Sequence, residues 1–458
     1  MDGVAVSESP YRVVDPRTGK AGRVYPLTST EDLERALQSA QVAFEAWRHT
    51  SVEQRSEVLR ALAEGLRSRQ DELAGLMSAE MGKLDGEAQG EIAKCAWVCD
   101  YYAEQAPELL KSRVVPSDAG HSEVRFDALG LLLAVMPWNF PFWQVFRCLA
   151  PMWAAGNAVL LKHAPNVPGC AEALTGLCAS VLEAHGHDPA LVVNLRLGNE
   201  AVADLIADRR VRGVTLTGST RAGRAVAGIA GSHLKKTVLE LGGSDPYVIL
   251  ADADLEQAAK ACVASRLLNG GQSCIAAKRW IVEAPVRGEF EALVLQLLKD
   301  ADGRAPMARD DLRRELHRQV TASVDAGARL RLGGRWPDGP GFFYPVTLLT
   351  EVVPGMPAFD EELFGPVAAL IEARDRDHAV ELARASTYGL GAAVFSRDGA
   401  AAQAVADALE TGSCFINDFV RSDPRLPFGG VKDSGYGREL GLWGFYEWVN
   451  VKTLWVRP

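Results

Sequence analysis

From Gly130 onward, short apolar runs alternate with stretches of helical composition, and this alternation leaves few architectures open to the chain. GLLLAVMPW, AVLLKHA, LVVNLRL, GVTLTG and TVLELGG form a first set that ends near Gly242. PYVILAD, RWIVEAP, VAALIEA, AAVFS and SCFIND form a second set, interleaved with helical stretches at 255–268 and 287–299. Strands joined through helices lie parallel, with the helices covering both faces of the sheet. The expectation is therefore an α/β fold with two such units: a doubly wound one up to residue 243, and a second over 244–426.

The first 110 residues read as helices. The pattern Ser51-Val-Glu-Gln54 is a capping box, and Thr30 with Glu31 opens the preceding helix. In EIAKCAWVCDYYAEQ, Cys95 and Cys99 share a helical stripe with Tyr102, which argues for burial. Two pieces fit neither sheet: residues 114–128, and the tail YEWVNVKTLWVRP at 446–458, whose alternating Val449 and Val451 read as edge strands. Exposed edges of this kind find partner strands, so these pieces are expected to form an oligomerisation arm of a homodimer or homotetramer.

Composition removes several classes of function. The 59 acidic against 49 basic residues give a formal charge of −10 with no basic run, which disfavours nucleic acid and anionic membrane surfaces. The eight cysteines lack CxxC pairs and zinc-type spacing, so no metal site and a reducing compartment are expected. The first residues carry no secretory pattern, and the most apolar stretch, 129–146, is broken by Pro137, Asn139, Pro141 and Gln144. A cytoplasmic protein is expected.

Several segments could carry chemistry. In GGQSCIAAK, Cys274 follows paired glycines, on a loop where backbone N–H groups can face an oxyanion; a small buried hydrophobe is the alternative. Glu240 closes the apolar run VLE before Gly242-Gly243, at a strand end where α/β folds bind ligands; it is either a general base or a solvated residue. Asn139 stands between Pro137 and Pro141, which hold its amide rigidly, for an oxyanion or merely for a turn. Gly218 and Ser219, in TGST after a strand and before a helix, suit a pyrophosphate. Lys162, at the end of AVLLK, could reach a ribose or phosphate, or be solvated.

Taken together and in this order, PWNFP, TGST, LELGGSDP, GQSC and EELFGPV resemble the NAD(P)-dependent aldehyde dehydrogenase superfamily along essentially the whole chain. The resemblance implies a Rossmann-type cofactor-binding domain at 1–113 and 129–243, a catalytic domain at 244–426, and an oligomerisation arm at 114–128 and 427–458. It implies that Cys274 is the nucleophile, that Glu240 is the base for deacylation, and that Asn139 with the Cys274 backbone N–H forms the oxyanion hole. It places Trp138, Lys162, Gly218, Ser219, Leu241, Glu362 and Phe364 at NAD or NADP, with Glu362 at the nicotinamide ribose.

Within the superfamily, LLKHAPNVPGC, LELGGSDP and MARDDLRRELH are similar to succinate-semialdehyde dehydrogenases. By that resemblance Arg147, on the helix that begins near Phe142, binds the substrate carboxylate, with Arg421 and Ser422 as second candidates. A pairing of Arg147 with a carboxylate on the helix surface is the alternative. The arginine that many such enzymes carry six residues before the cysteine is here Leu268, leaving room for longer, less polar or aromatic aldehydes. Ala276 in place of a second cysteine argues against a disulfide switch. NAD-preferring relatives carry glutamate where this chain has Pro165, so both cofactors are expected, with His163 or Lys162 accepting the NADP phosphate. Oxidation of a neutral or aromatic aldehyde, transfer of the acyl group to coenzyme A, and a non-catalytic binding protein are the competing readings.

Overall fold

The apolar run at 131–136 is an inner strand of a six-stranded sheet in the computed structural model, which describes residues 10–301 and 305–457. The start of the chain, where no secretory pattern was read, and Pro458 of the expected arm lie outside the described residues. The order across the sheet is Gly435–Tyr436, Lys236–Glu240, Val211–Thr217, Leu131–Met136, Ala158–His163 and Val192–Asn194. All neighbours are parallel except Gly435–Tyr436. The chain builds outward from Leu131–Met136 on one side and then crosses to the other with Val211–Thr217. This reversal opens a crevice at the carboxyl ends of those two strands, from which residues 137–139 and Gly218–Ser219 emerge.

The second sheet has seven strands, in the order Arg329–Leu332, Thr347–Thr350, Val367–Ala373, Ala277–Glu283, Asp245–Ile249, Gly391–Phe395 and Ser413–Ile416. Its inner strands are apolar on both faces because both are covered. Val248, Ile281 and Val394 enter one core, while Tyr247, Ile249, Trp280, Val282 and Phe395 enter the other. The helix Asp310–Asp325 and the strands Arg329–Leu332 and Thr347–Thr350 were not among the elements expected from the sequence. The strands are four residues each, too short for periodicity to separate them from loop.

The expected capping box forms: Ser51 Oγ accepts from Gln54 N and Gln54 Oε1 accepts from Ser51 N. Cys95, Cys99 and Tyr102 are fully buried on the helix Asp85–Leu109. The first 110 residues are not wholly helical, since Tyr11–Val14 and Ala21–Tyr25 pair as an antiparallel hairpin. Its turn is local: Asp15 O accepts from Gly19 N, and Gly19 adopts φ +71°.

His121–Ala128 pairs antiparallel with Val449–Val456 and with Arg113–Val114, forming a separate three-stranded sheet. The rest of the segment 427–458 behaves differently from the expected arm. Gly435–Tyr436 extends the six-stranded sheet beside Lys236–Glu240, and the loop around it carries Phe428 and Glu439 into the interior. Glycine permits this approach, because a Cβ at Gly435, where φ is +106°, would lie 2.0 Å from the carbonyl oxygen of Leu239.

Candidate active site

Cys274 sits on a loop built from left-handed backbone. Asn269, Gly270 and Gly271 have φ of +57°, +62° and +76° in succession, and a Cβ on Gly271 would fall 2.3 Å from the carbonyl oxygen of Gly365. Asn269 ties this loop to its surroundings. Its backbone N–H donates to Glu87 (2.9 Å), and its Nδ2 donates to the carbonyls of Asn139 (2.8 Å) and Gln272 (3.1 Å). Asn139 Nδ2 donates to Gln272 O at 3.2 Å, so the two loops are fixed to each other. Lys278, buried, donates to the carbonyls of Ser273 (2.9 Å) and Cys274 (2.6 Å) and pairs with Glu362 at 3.4 Å. Glu362 in turn accepts from Gly243 N at 3.1 Å.

Two cavities meet at Cys274. The first, about 230 Å³, lies in the crevice of the six-stranded sheet and is lined by Trp138, Asn139, Gly218, Ser219, Leu241, Glu362 and Phe364 as well as Cys274. Ser219 caps the helix Thr220–Ser232, its Oγ accepting from Ala222 N at 3.3 Å, so the helix's positive end faces this space. Trp138 and Phe364 meet edge to face at 5.8 Å. Leu241 packs so tightly against Gly223 that a Cβ there would come within 2.5 Å, and a Cβ on Gly242 would come within 2.6 Å of Glu362 Oε2. A helix N-terminus, apolar walls and a carboxylate suit a dinucleotide: phosphate at the first, ring between the second, ribose hydroxyls at the third.

Lys162 lies on Ala158–His163 outside this lining, with its Nζ 5.8 Å from the Tyr11 ring centre, and burial holds its pKa down. The expectation that His163 could take a phosphate is corrected. Its ring is buried, Nε2 donates to Pro141 O (2.8 Å), Nδ1 accepts from Ala164 N (2.8 Å), and burial pushes its pKa down to about 4.

The second cavity, about 250 Å³, opens on the other side of Cys274 between the helices Asp85–Leu109 and Trp143–Ala154. Arg147, Arg421 and Ser422 all line it, as does Leu268. Arg147 is neither a surface residue nor a free cation. It is 2% exposed, ion-paired through Nε with Glu439, donates from Nη2 to Thr217 Oγ1 at 3.1 Å, and lies 4.9 Å over the Phe428 ring. Arg421 is half exposed and paired with Asp418 at 2.7 Å. Ser422 Oγ accepts from Lys94 Nζ at 2.7 Å.

Glu240 ends Lys236–Glu240 at 1% exposure, with neither carboxylate oxygen hydrogen-bonded to protein. Burial pushes its pKa well above the carboxylate range; Arg147 pulls it down, Glu439 pushes it up and Arg438 pulls it down. Burial likewise pushes the Cys274 thiol up to about 12, against the pull of Lys278 and Arg147. Lys94, Lys278 and Glu439 were not singled out in the sequence. Only the spacing of Lys278 from Cys274 and the GRELG context of Glu439 offered any local signal; Lys94 reads as an ordinary polar helix position.

A cysteine at the junction of a dinucleotide crevice and a second cavity, with an asparagine amide beside it and a buried carboxyl nearby, defines a class, and the chain belongs to the aldehyde dehydrogenase family. The family model matches residues 4–454. Among its relatives, the chain is 46% identical over 451 residues to the succinate semialdehyde dehydrogenase [NAD(P)+] Sad of Escherichia coli (strain K12), covering 96% of this chain and 97% of the relative. It is 44% identical to a probable succinate-semialdehyde dehydrogenase [NADP(+)] of Synechocystis, covering 97% and 99%. The fold matches a succinic semialdehyde dehydrogenase from Streptococcus pyogenes solved with NADP+, at a TM-score of 0.94 and 38% identity, covering 98% of this chain and all of that one. Among the described residues no helix is long and apolar enough to cross a membrane.

Proposed function

We propose that this aldehyde dehydrogenase oxidises succinate semialdehyde to succinate with NAD or NADP. The reading is carried by the placement of Cys274 at the meeting of two cavities, one fitted to a dinucleotide and one largely apolar but lined also by Lys94, Arg147, Arg421 and Ser422. The names of the relatives point to the same substrate. The Cys274 thiol gives its proton to solvent water, Sγ attacks the aldehyde carbon, and the carbonyl electron pair moves to oxygen. The Asn139 amide and the Cys274 backbone N–H stabilise the resulting oxyanion; losing one such donor typically costs about 2.7–4 kcal/mol in barrier. NAD(P), held by Trp138, Gly218, Ser219, Leu241, Glu362 and Phe364, supplies the hydride acceptor when bound. The acyl group then remains on Cys274 as a thioester. Ionised Glu240 takes a proton from water, the water oxygen attacks the acyl carbon, and the thiolate leaves.

With Pro165 where a ribose-binding glutamate would repel a 2′-phosphate, both cofactors are used. The domain division at 243/244, a cytoplasmic location and a homodimer or homotetramer belong to the same reading. They are supported by the two separate, largely parallel sheets, eight unbridged cysteines, and the exposed Val451 and Trp455 on the three-stranded sheet. Oxidation of a neutral or aromatic aldehyde is the second reading, favoured by Leu268, Phe140, Trp143 and Phe428 in the second cavity. Steady-state kcat/KM for succinate semialdehyde, butanal and benzaldehyde, each with NAD and NADP, decides between them. A preference for butanal or benzaldehyde would sink the carboxylated substrate, and turnover that requires coenzyme A would sink hydrolysis.

A further inference from the structure

We propose that Lys278 is a positioning residue for both halves of the site: its buried ammonium holds the turn at Cys274 and the Glu362 carboxylate at once, so thiol reactivity and cofactor affinity depend on the same charge. The inference rests on the reading of Cys274 as the nucleophile and of Glu362 as a ligand of the cofactor. Lys278 follows Cys274 by four positions, on the strand Ala277–Glu283, and is 1% exposed. It lines neither cavity, whereas Cys274 and Glu362 both line the first. Its effect on the reaction therefore passes through them.

Three acceptors surround an ammonium that carries three protons: the carbonyls of Ser273 and Cys274, and Glu362 Oε1. Each contact has a chemical consequence. The Ser273 carbonyl belongs to the same peptide unit as the Cys274 N–H, so a cation on its oxygen polarises that unit and strengthens the N–H as an oxyanion donor. The Cys274 carbonyl is also pressed by Gly243, where a Cβ would lie 2.7 Å from it. Glu362 Oε1 is shared between Lys278 and the Gly243 N–H, while Oε2 lies against Gly242 in the wall of the cofactor cavity. One oxygen of this carboxylate is thus anchored to the turn that carries the thiol, and the other stands at the cavity.

Burial sets the Cys274 pKa high. Among the charges that face it, Lys278 exerts the largest downward pull, followed by Arg147, while Glu240 and Glu362 push upward. Burial opposes the charge on Lys278 itself; Glu362 and Asp245 favour it, Arg266 opposes it and Cys274 favours it. Well below a thiol's pKa, the thiolate fraction falls about tenfold for each pH unit that the pKa rises, so alkylation at a fixed pH reads the charge beside the thiol.

The test has two readouts that need no turnover. The first is the rate at which iodoacetamide modifies Cys274 at about pH 8 without cofactor, followed by mass spectrometry of the peptide that carries it. Lys278→Met lowers this rate at least about tenfold, whereas Glu362→Gln, which removes a negative charge, raises it. The second is the dissociation constant of NADP, from quenching of tryptophan fluorescence. Lys278→Met and Glu362→Gln each weaken binding about tenfold. The double variant binds no more weakly than Glu362→Gln alone, because Lys278 reaches the cofactor through that carboxylate. Lys278→Gln, neutral but still able to donate to the two carbonyls, repeats the alkylation result and serves if Lys278→Met does not fold. Unchanged alkylation in the Lys278 variants, or additive losses of affinity in the double variant, overturns the inference. Alkylated wild type that still oxidises aldehyde, or Glu362→Gln with wild-type affinity for NADP, overturns the reading of the site itself, and this inference with it.

Discussion

Cys274 and Glu240 both occupy environments that oppose their ionisation, so the ionised forms that the proposed attack and hydrolysis require are minor at neutral pH. Each group's charged form accumulates as pH rises towards its raised pKa. Steady-state turnover should therefore climb between about pH 6 and 9, and a flat profile would remove Glu240 from the rate-determining step. Cys274→Ser should abolish dehydrogenase turnover. Glu240→Gln should keep a rapid burst of reduced cofactor in stopped flow while steady-state turnover falls about 10²–10⁴-fold; loss of the burst would place Glu240 earlier in the cycle. Arg147→Met leaves Glu439 buried without its counter-charge, and should destabilise the protein by about 3–5 kcal/mol in thermal or urea unfolding. It also removes the cation that holds the Glu240 pKa down, so the alkaline rise in turnover should move to higher pH.

Elements contribute through their ends. The capping box at 51–54 satisfies two backbone donors of Val52–Ser68 far from the site. Ser51→Ala should cost about 1 kcal/mol in denaturant unfolding with kcat unchanged, and an altered kcat would mean that this helix reaches the site. Gly271→Ala should behave in the opposite sense. Its Cβ would strike the Gly365 carbonyl and its φ is left-handed, so the loop carrying Cys274 must shift. A stability loss of about 1–3 kcal/mol with kcat reduced at least about tenfold is expected, and wild-type kcat would show that the loop tolerates the side chain.

Across the whole molecule, the strand Val449–Val456 lies 321 or more positions from its partner His121–Ala128, yet the two form one ladder whose outer face shows Val451 and Trp455. Replacing both exposed residues by glutamate should reduce the mass of the proposed oligomer in light scattering; an unchanged mass would overturn this sheet as its interface. The sequence by itself determined the parallel α/β units and the helix starts at 30 and 51, because periodicity and caps are local properties of the chain; Cys274, Glu240 and Asn139 were legible as candidates through the order of motifs shared with the family, each local pattern alone leaving a structural role open. It could not show that 427–458 would divide between two sheets, or that His163 would be buried and neutral. It also could not show that Arg147 would be buried and ion-paired with Glu439. Those outcomes depend on which charges end up adjacent once helices and sheets pack, and a side chain's partners and desolvation are set by residues hundreds of positions away, so only the tertiary structure decided them.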